Sequence, residues 1–383
     1  MISTANINSK TIFGKTNVAN LKQYVREMNA DALVFGVDIL SPYQHHYYRE
    51  CLNIEVYDRF SIVLKIFRER ASTKETKLQL SLAEIQYVRK NLHKMKECDF
   101  SQFTIASSFG GGFDTFYQIK KKLIQEQESK LNTLLEKVEL NNQLNKHHRL
   151  RMQIPSVAII GYTNCGKTSL IKSLTHDSKL KPEDKLFATL NVSTHQVNLP
   201  SNLKVLLIDT IGFITEIPTA LIHSFRSTLS EISSADMLVH VTDCSHPDYK
   251  QQIETVHKTL RDLEVPEKLI STMLEVHNKV DKLGPDIKLE NEDCLLISAT
   301  ERIGLDELKQ SIEKGVINNT DRLTFDIRVP NGGEQYQWLY REVSVVECNA
   351  DERDGNYIVM KVIITKSQLG KFMKHFRRSL RAS

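Results

Sequence analysis

Apolar residues over the first 71 positions of the chain follow two different periods. Short apolar runs at 32–37 and 54–58 are typical of β-strands. Apolar residues spaced by three and four predict helices at 17–28, 42–52 and 60–70. Strands that alternate with helices indicate a small α/β domain over residues 1–71. No glycine fingerprint marks this domain as a phosphate-binding unit.

Residues 72–150 carry a longer helical pattern that is interrupted once. Apolar residues recur at helical spacing from Leu78 to Leu92, and again from Ile119 to Val138. Between the two halves lies a polar stretch that ends in three consecutive glycines, Gly110–Gly112. The pattern predicts an antiparallel hairpin whose tip loop, of about fifteen residues, is longer than helix packing requires. A coiled-coil arm for dimerisation is the alternative interpretation.

The stretch GYTNCGKTS at 161–169 has the residue types of a phosphate-binding loop. It follows the strand-like run IPSVAIIG and precedes a helical pattern. Gly161 and Gly166 allow a strand to turn tightly into a helix, whose N-terminal N–H groups attract an anion. Lys167 would then reach β- and γ-phosphates, and the Thr168 hydroxyl would ligate Mg²⁺. A glycine turn without a ligand is the alternative.

A second apolar run, VLLIDTIGF at 205–213, ends in residues suited to the same ligand. A carboxylate at a buried strand end, here Asp209, can hold the hydration shell of Mg²⁺. Gly212, three residues later, can offer its N–H to a γ-phosphate. Most Asp-x-x-Gly stretches are simple turns, but this one follows the phosphate loop at the distance of one crossover and a hairpin.

Two later runs carry residues that can select the base. In LEVHNKVDK at 274–282, Asn278 and Lys279 precede Asp281, whose carboxylate can accept from the guanine ring N–H and the exocyclic amine together. Adenine presents no such pair of donors. Ser298 and Ala299 follow the next run, where a backbone N–H can meet the guanine oxygen. A polar loop cap is the plainer interpretation of the Asn and Asp residues.

The last segment, 321–383, alternates as strands before it becomes basic. Strand character is found at 323–329, 343–348 and 356–365. The stretch KSQLGKFMKHFRRSLR at 366–381 then holds six Lys or Arg residues and no acidic residue. On a helix this composition favours a contact with RNA phosphates, and an ordinary solvated helix is the alternative. Phe372 and Phe376, four apart, are expected to pack on the sheet.

Composition narrows the class of protein without identifying it. The 383 residues are 40% hydrophobic and 26% charged, with a net charge of +4, as in a globular protein of several domains. Six scattered cysteines without CxxC pairs favour a reducing compartment and argue against a zinc site or a disulfide framework. The histidines lack HExxH spacing, and no apolar run is long enough to span a membrane.

The four motifs, taken in order, resemble those of the P-loop GTPases. The resemblance implies an open α/β sheet at 151–320 with its ligand at the carboxyl ends of the strands. It also implies that the chain hydrolyses GTP with Mg²⁺. The nucleotide-binding residues that it implies are Gly161, Tyr162, Thr163, Asn164, Cys165, Gly166, Lys167, Thr168, Ser169, Asp209, Gly212, Asn278, Lys279, Asp281, Ser298 and Ala299.

Two positions bear on the rate of hydrolysis. Phe213 follows Gly212, where signalling GTPases of the Ras type have a glutamine that orients the attacking water. We therefore expect slow intrinsic turnover, on the order of 10⁻³ per second or less, with a partner, another side chain or a monovalent cation completing the site. Asn164 resembles the loop asparagine of GTPases that bind K⁺ beside the phosphates, although a plain loop asparagine is equally compatible.

More of the chain resembles one group, the HflX-type GTPases. The similar stretches are the junction at 58–88, LFATLNVST at 186–194, DTIGFI at 209–214 and the domain order over about residues 11–383. The resemblance implies that Thr189 meets Mg²⁺ together with Thr168 and Asp209, and that Lys167, Thr189 and Gly212 act in catalysis. The whole chain is therefore predicted to be α/β: a small α/β domain (1–71), a helical hairpin (72–150), a GTPase domain (151–320) and a small α+β domain with a basic tail (321–383).

Partners and location are also implied by this resemblance. HflX-type GTPases bind the large ribosomal subunit, with the hairpin tip directed towards the peptidyl transferase centre, and split stalled ribosomes or keep subunits apart. Late subunit assembly is the other role left open. The family's tip reads close to GGGxGTRGPGETQLE, whereas here FDTFYQ follows the glycines, so the contacts of the tip are in doubt. We expect a monomer that binds ribosomal RNA and no DNA.

The stretch 332–347 resembles the mitochondrial branch of the group and favours a mitochondrial location, with the cytoplasm as the alternative. Residues 1–26, with four basic and no acidic residues, are compatible with a transit peptide, but the family-like fold begins near Thr11 and leaves little room for one. Two other functions stay open: a signalling GTPase with a protein effector, and an interaction protein whose nucleotide site is structural.

Overall fold

The computed structural model divides the described chain into two compact units. The first unit contains residues up to 144, and the second contains the chain from 145 to 213 and from 231 onward. The residues that the structure describes are 12–97, 112–175, 177, 187, 189–190, 192–213, 231–283, 294–351 and 354–376. The four-part division made from the sequence stays a prediction.

The first unit begins with the small α/β fold that the apolar pattern predicts. Helices α1 (Lys15–Glu27), α2 (Pro42–Leu52) and α3 (Arg59–Arg70) alternate with the parallel strands β1 (Ala32–Val34) and β2 (Glu55–Tyr57). Side chains that include Phe35, Tyr48 and Val56 form the core between them. Helix α2 begins at a capping box of Ser41 with Gln44, and α3 at one of Asp58 with Ser61.

Two long helices follow, and they pack as an antiparallel hairpin. Helix α4 spans Lys74–Glu97 and helix α5 spans Gly112–Met152. The Arg89 guanidinium lies 2.7 Å from the Glu128 carboxylate, and Leu92 packs near Tyr117 and Ile124, so later residues of α4 face earlier residues of α5.

The buried residues of α5 are not all the ones that its helical apolar spacing predicts. Of the apolar positions that predicted this helix, Leu135 is buried, whereas Ile119 and Leu123 are about half exposed, at 54% and 49%. Ile124, next in sequence, is buried instead. The tip loop falls largely outside the described residues, and Gly112 is already the first residue of α5.

The second unit is built on a six-stranded sheet in the order β4-β5-β3-β6-β7-β8. Only β4 runs antiparallel to its neighbour in this sheet. The strands are β3 (Ser156–Gly161), β4 (Ser193–Asn198), β5 (Lys204–Asp209), β6 (Met237–Asp243), β7 (Leu274–Asn278) and β8 (Leu295–Leu296). β3 and β6 are almost entirely buried because helices cover both faces, which explains their continuous apolar runs.

Helices pack on this sheet and hold the loops at its carboxyl edge. They are α6 (Lys167–Thr175), α7 (Tyr249–Asp262), α8 (Glu267–Ser271) and α9 (Leu305–Asn319), with a 3₁₀ turn at Val280–Lys282. One face of the sheet, with Val239 and Val276, packs against Leu170 of α6 and Leu308 of α9. Among the helices that the structure describes, none combines the length and apolar character needed to cross a bilayer.

A three-stranded antiparallel sheet completes the unit, in the order β10-β11-β9. Its elements are β9 (Arg322–Pro330), α10 (Glu334–Glu342), β10 (Ser344–Ala350), β11 (Tyr357–Thr365) and α11 (Lys366–Phe376). Phe372 and Phe376 are buried, and their rings lie 5.3 and 6.4 Å from that of Trp338. The expectation that both phenylalanines pack on the sheet is confirmed, while the basic tail beyond residue 376 lies outside the described residues.

Candidate nucleotide-binding site

The loop between β3 and α6 has the backbone that its two glycines predict. Gly161 (φ +153°) and Gly166 (φ +99°) occupy conformations that other residues rarely adopt. A Cβ atom on Gly161 would lie 2.2 Å from the Val241 carbonyl oxygen, and one on Gly166 would lie 2.3 Å from the Asn278 amide nitrogen. The loop is therefore pressed against β6 and β7 and has room only for glycine at these two positions.

The ammonium group of Lys167 is held inside this loop. Its Nζ donates to the carbonyl oxygens of Tyr162 (2.9 Å) and Gly161 (3.2 Å), and the residue is 6% exposed. A cation fixed at the N-terminus of α6 adds its charge to the partial positive charge of the helix end. The loop thus concentrates positive potential where an anion can bind.

Three oxygen ligands predicted for Mg²⁺ meet beside the loop. Thr168 Oγ1 donates to Asp209 Oδ2 at 2.8 Å and lies 2.7 Å from Thr189 Oγ1, which donates to the same carboxylate oxygen at 3.2 Å. The pKa of Asp209 is raised above its usual value because the carboxyl group is buried. The two hydroxyls and the charge of Lys167 offset only part of this increase.

The donor set fits a magnesium ion. Asp209 is 1% exposed, and within the described chain its second oxygen, Oδ1, is buried without a hydrogen-bond partner. A bound divalent cation would compensate this buried charge. Hydroxyl and carboxylate oxygens are the ligands that Mg²⁺ prefers, with water and phosphate in the remaining positions. The resemblance predicts Thr189 beside Thr168 and Asp209, and the structure brings these three side chains into contact although they come from separate stretches.

Gly212 and Phe213 close the loop from the side of β5. The Phe213 N–H donates to the Gly161 carbonyl (3.0 Å), and the Thr163 N–H donates to the Phe213 carbonyl (2.7 Å). A Cβ on Gly212 would lie 3.0 Å from Lys167 Nζ, so the chain passes close to the ammonium group. Phe213 is 2% exposed, and its ring packs into the protein, where it offers no polar group to a water molecule.

Asn278 connects the phosphate loop to the loop after β8. Its Nδ2 donates to the Cys165 carbonyl (2.9 Å), and its Oδ1 accepts from the Ala299 N–H (3.0 Å). The Asn278 side chain is fully buried, so both bonds are protected from water. It therefore fixes the distance between the loop after β3 and the loop after β8.

Lys279 and Asp281 lie after β7, where the sequence predicts that the base binds. Lys279 Nζ donates to the Asn164 carbonyl (2.8 Å) and forms a 2.6 Å ion pair with Asp243. Asp281 Oδ1 accepts from Ser298 Oγ at 2.5 Å, which orients the carboxylate. Asp243 was missed by sequence reasoning, although it ends the buried strand β6 much as Asp209 ends β5.

The other loop residues differ in what they expose. Cys165 is fully buried, and burial raises the pKa of its thiol, so this residue contributes backbone rather than side-chain chemistry. Thr163 is buried and Tyr162 is half-buried. Ser169 lies in the first turn of α6, and its backbone carbonyl accepts a hydrogen bond from the Ser173 hydroxyl. Asn164 is exposed in the left-handed region (φ +64°), which asparagine tolerates better than most residues.

Comparison with known proteins matches three family models along this chain. Residues 156–279 match a family described as a 50S ribosome-binding GTPase. Residues 1–68 match a GTP-binding GTPase N-terminal region, and residues 70–149 match the middle region of the same kind of protein. The matched GTPase region contains the phosphate loop, Asp209 and Asn278.

Relatives align over nearly the whole chain. A putative GTP-binding protein 6 from Xenopus laevis is 39% identical, over 98% of this chain and 71% of its own length. A GTPase HflX from Caldanaerobacter subterraneus is 34% identical, over 91% of this chain and 79% of its own. A solved GTP-binding protein from Sulfolobus solfataricus with GDP is 26% identical, over 83% of this chain and 89% of its own, with a TM-score of 0.41. On the strength of the sequence relatives, the chain belongs to the HflX family of GTPases and is a GTP-hydrolysing enzyme.

Proposed function

We propose that this GTPase acts on the large ribosomal subunit, in splitting or in late assembly. The observation that carries the proposal is the combination, in one chain, of a complete guanine-nucleotide constellation with a long antiparallel hairpin, α4–α5. The family model over residues 156–279 carries the description of a ribosome-binding GTPase, which supports the same assignment. A rigid arm of two helices is suited to reach a recessed site on a large partner.

In this proposal the base end selects guanine. The Asp281 carboxylate, oriented by Ser298, accepts from the guanine ring N–H and the exocyclic amine. The Ala299 N–H either meets the guanine oxygen itself or holds in place the loop that does. The second arrangement keeps the hydrogen bond that this N–H donates to Asn278. The Asp243–Lys279 ion pair supports the segment that carries Asp281.

At the phosphate end, the loop from Gly161 to Ser169 wraps the phosphates with its N–H groups. Lys167 turns from its two loop carbonyls to the β- and γ-phosphates, and the Gly212 N–H meets the γ-phosphate. Thr168, Thr189 and Asp209 are the residues that would hold Mg²⁺, which when bound neutralises charge that develops on the phosphate oxygens. Lys167, Thr189 and Gly212 are thereby the proposed catalytic residues.

A further part of the proposal is that K⁺ raises the turnover through Asn164. We expect higher GTP turnover in KCl than in NaCl, by a factor of several, because a cation near the phosphates stabilises charge that develops there, in a site where Phe213 cannot orient the attacking water. The test compares the K⁺/Na⁺ rate ratio of wild type with that of Asn164→Gly. Glycine removes the amide but keeps the left-handed backbone (φ +64°) free of strain. A ratio that survives this change would remove Asn164 from the cation site.

The ribosomal role is tested by sedimentation with ribosomal subunits under GTP, GDP and a non-hydrolysable analogue. Deleting residues 107–113 should leave GTP binding and association in low salt intact, because that segment contains only serine, phenylalanine and glycine and carries no charge. Subunit splitting or assembly activity should be lost. If the deletion variant acts as well as wild type, the tip is not the working end, and a dimerisation role for the hairpin becomes the better interpretation.

In this proposal, exposed lysines outside the hairpin tip supply the electrostatic attraction to the ribosome. Changing them provides the comparison with the deletion of the uncharged tip. Lys120, Lys121 and Lys122 are exposed on α5, and Lys371 and Lys374 on α11. The plot of log affinity against log salt has a negative slope. Changing Lys371 and Lys374 together to glutamine should make this slope less steep, by about 1 for each phosphate that is no longer neutralised. Glutamine at Lys258 and Lys314, exposed on α7 and α9, is the control with the same change of net charge.

The proposal places the protein in mitochondria, acting as a monomer and without DNA. The location is consistent with the similarity to the GTP-binding protein 6 relatives of Xenopus laevis and Homo sapiens, at 39% and 38% identity. Fractionation of cells, with ribosomes of both compartments offered in the sedimentation assay, separates this location from the cytoplasm.

A further inference from the structure

Three side chains with metal-binding atoms meet on the second face of the six-stranded sheet, beneath α7. His240 on β6 and Glu275 on β7 are direct neighbours in the parallel register, and His257 reaches them from α7. His240 Nδ1 lies 2.7 Å from Glu275 Oε2, and His257 Nε2 lies 3.4 Å from Glu275 Oε1. One ligand atom from each residue lies within 4.8 Å of the other two.

Ordinary hydrogen bonding leaves this cluster unexplained. His240 is 1% exposed, yet in the described chain neither its Nδ1 nor Glu275 Oε2 has a partner in hydrogen-bond geometry, despite the 2.7 Å between them. The two atoms form an ion pair whose geometry is poor for a hydrogen bond, and buried polar atoms without a well-formed hydrogen bond are uncommon in proteins. An ion shared between the two atoms would satisfy both.

We propose that His240, His257 and Glu275 form a binding site for a divalent transition metal of the zinc class. Ligand atoms about 2.0–2.1 Å from zinc and at the tetrahedral angle lie about 3.3 Å apart, close to the 3.4 Å between His257 and Glu275. The His240 and Glu275 ligand atoms, 2.7 Å apart, need to separate by about 0.6 Å to reach this spacing. Two imidazoles and one carboxylate favour zinc over Mg²⁺ or Ca²⁺, which prefer oxygen ligands.

The surroundings leave room for entry and for a fourth ligand. His240 forms the buried floor, whereas the side chains of His257 and Glu275 are 29% and 27% exposed. Water can therefore reach the open side of the site and complete a four-coordinate shell.

A metal at this place joins α7 to two strands that lead into the nucleotide site. Three residues beyond His240, β6 ends at Asp243, and three residues beyond Glu275, β7 ends at Asn278. These are the residues that hold Lys279 and the loop after β8. The site is thus structural: it fixes the base end of the GTPase site and takes no part in the reaction.

The site is tested by titrating the full chain with Zn²⁺ in excess Mg²⁺ and GDP, so that the nucleotide site is saturated with magnesium. We expect one equivalent to bind and to raise Tm. His257→Gln and Glu275→Gln change partly exposed ligands, and each should weaken that binding at least tenfold, since even outer-shell partners of metals contribute about 10–100-fold. His375→Gln, which removes an exposed imidazole from α11, is the matched control and should bind like wild type.

Cobalt substitution gives a readout that does not depend on the variants. Co²⁺ bound by nitrogen and oxygen ligands in four-coordination gives visible d–d bands without thiolate charge-transfer bands. Failure of the wild type to bind one equivalent of Zn²⁺, or equal binding by His257→Gln, would overturn the proposal and leave a metal-free ion-pair network. Thiolate bands in the Co²⁺ spectrum would overturn it as well, since they would place the metal on cysteines.

Discussion

Changing Lys167 to alanine is expected to lower kcat for GTP hydrolysis by about 10²–10³-fold, the range seen when one preorganised donor to developing charge is removed. Lys167 Nζ is buried and donates to two loop carbonyls, at 2.9 and 3.2 Å, so its charge already lies inside the loop that is proposed to bind the phosphates. Its charge also contributes to the affinity for GTP, which should fall in parallel. Single-turnover hydrolysis and titration with a fluorescent nucleotide measure the two effects.

The matched control is Lys172→Ala, on the same helix and partly buried. It removes the same side chain about one and a half turns further along α6, away from the phosphate loop. We expect near wild-type turnover for this variant, and the same far-UV circular dichroism for both. Wild-type hydrolysis by Lys167→Ala would show that the loop does not bind the reacting phosphates.

The nucleotide site could be predicted from the sequence because its residues stand at strand ends in a fixed order. A strand followed by Gly-x-x-x-x-Gly-Lys-Thr has few other folds, and parallel strands bring their carboxyl ends to one edge. The sequence therefore predicts that Asp209 and Asn278, far apart in the chain, contribute to one site. The structure adds what such patterns lack: Asn278 bonded to both loops, and Asp243 paired with Lys279.

Other features were missed. Helix α10 was not predicted although Tyr336, Leu339 and Tyr340 have helical spacing, and Leu339 is buried together with residues of β9 and β11. Gln153, after the last residue of α5, accepts from Arg322 at its carbonyl and from Thr365 at its side chain. Both hydrogen bonds join residues more than 150 positions apart, which no periodicity predicts.

The histidine–glutamate cluster was missed for a related reason. The scattered cysteines and the lack of HExxH spacing argued against a zinc site, yet His240, His257 and Glu275 come from two strands and a helix. Alternation along β6 and β7 does place His240 and Glu275 on one face, away from Val239 and Val276. Register between the strands, which sets them side by side, follows from the folded sheet and not from either strand alone.

Changing Asp281 to asparagine is expected to weaken GTP binding by about 10²–10⁴-fold, since two hydrogen bonds to a charged group are worth about 1.5–3 kcal/mol each. The new amide would also point an N–H at the donors of guanine. Xanthine presents a carbonyl in place of the exocyclic amine, so the same variant should gain affinity for XTP. Ser298 Oγ, 2.5 Å from Asp281 Oδ1, can still donate to the amide oxygen and keep the side chain in place.

The measurement is a titration of wild type and variant with fluorescent GTP and with XTP as competitor. Asp262→Asn, at an exposed position near the end of α7, makes the same chemical change outside the site and should leave both affinities unchanged. Loss of GTP binding without a gain for XTP would point to a damaged loop, because a base-reading carboxylate predicts that the preference is exchanged. Unchanged GTP affinity in Asp281→Asn would remove this residue from the guanine site, and the selection of base would then rest on the backbone around Ala299.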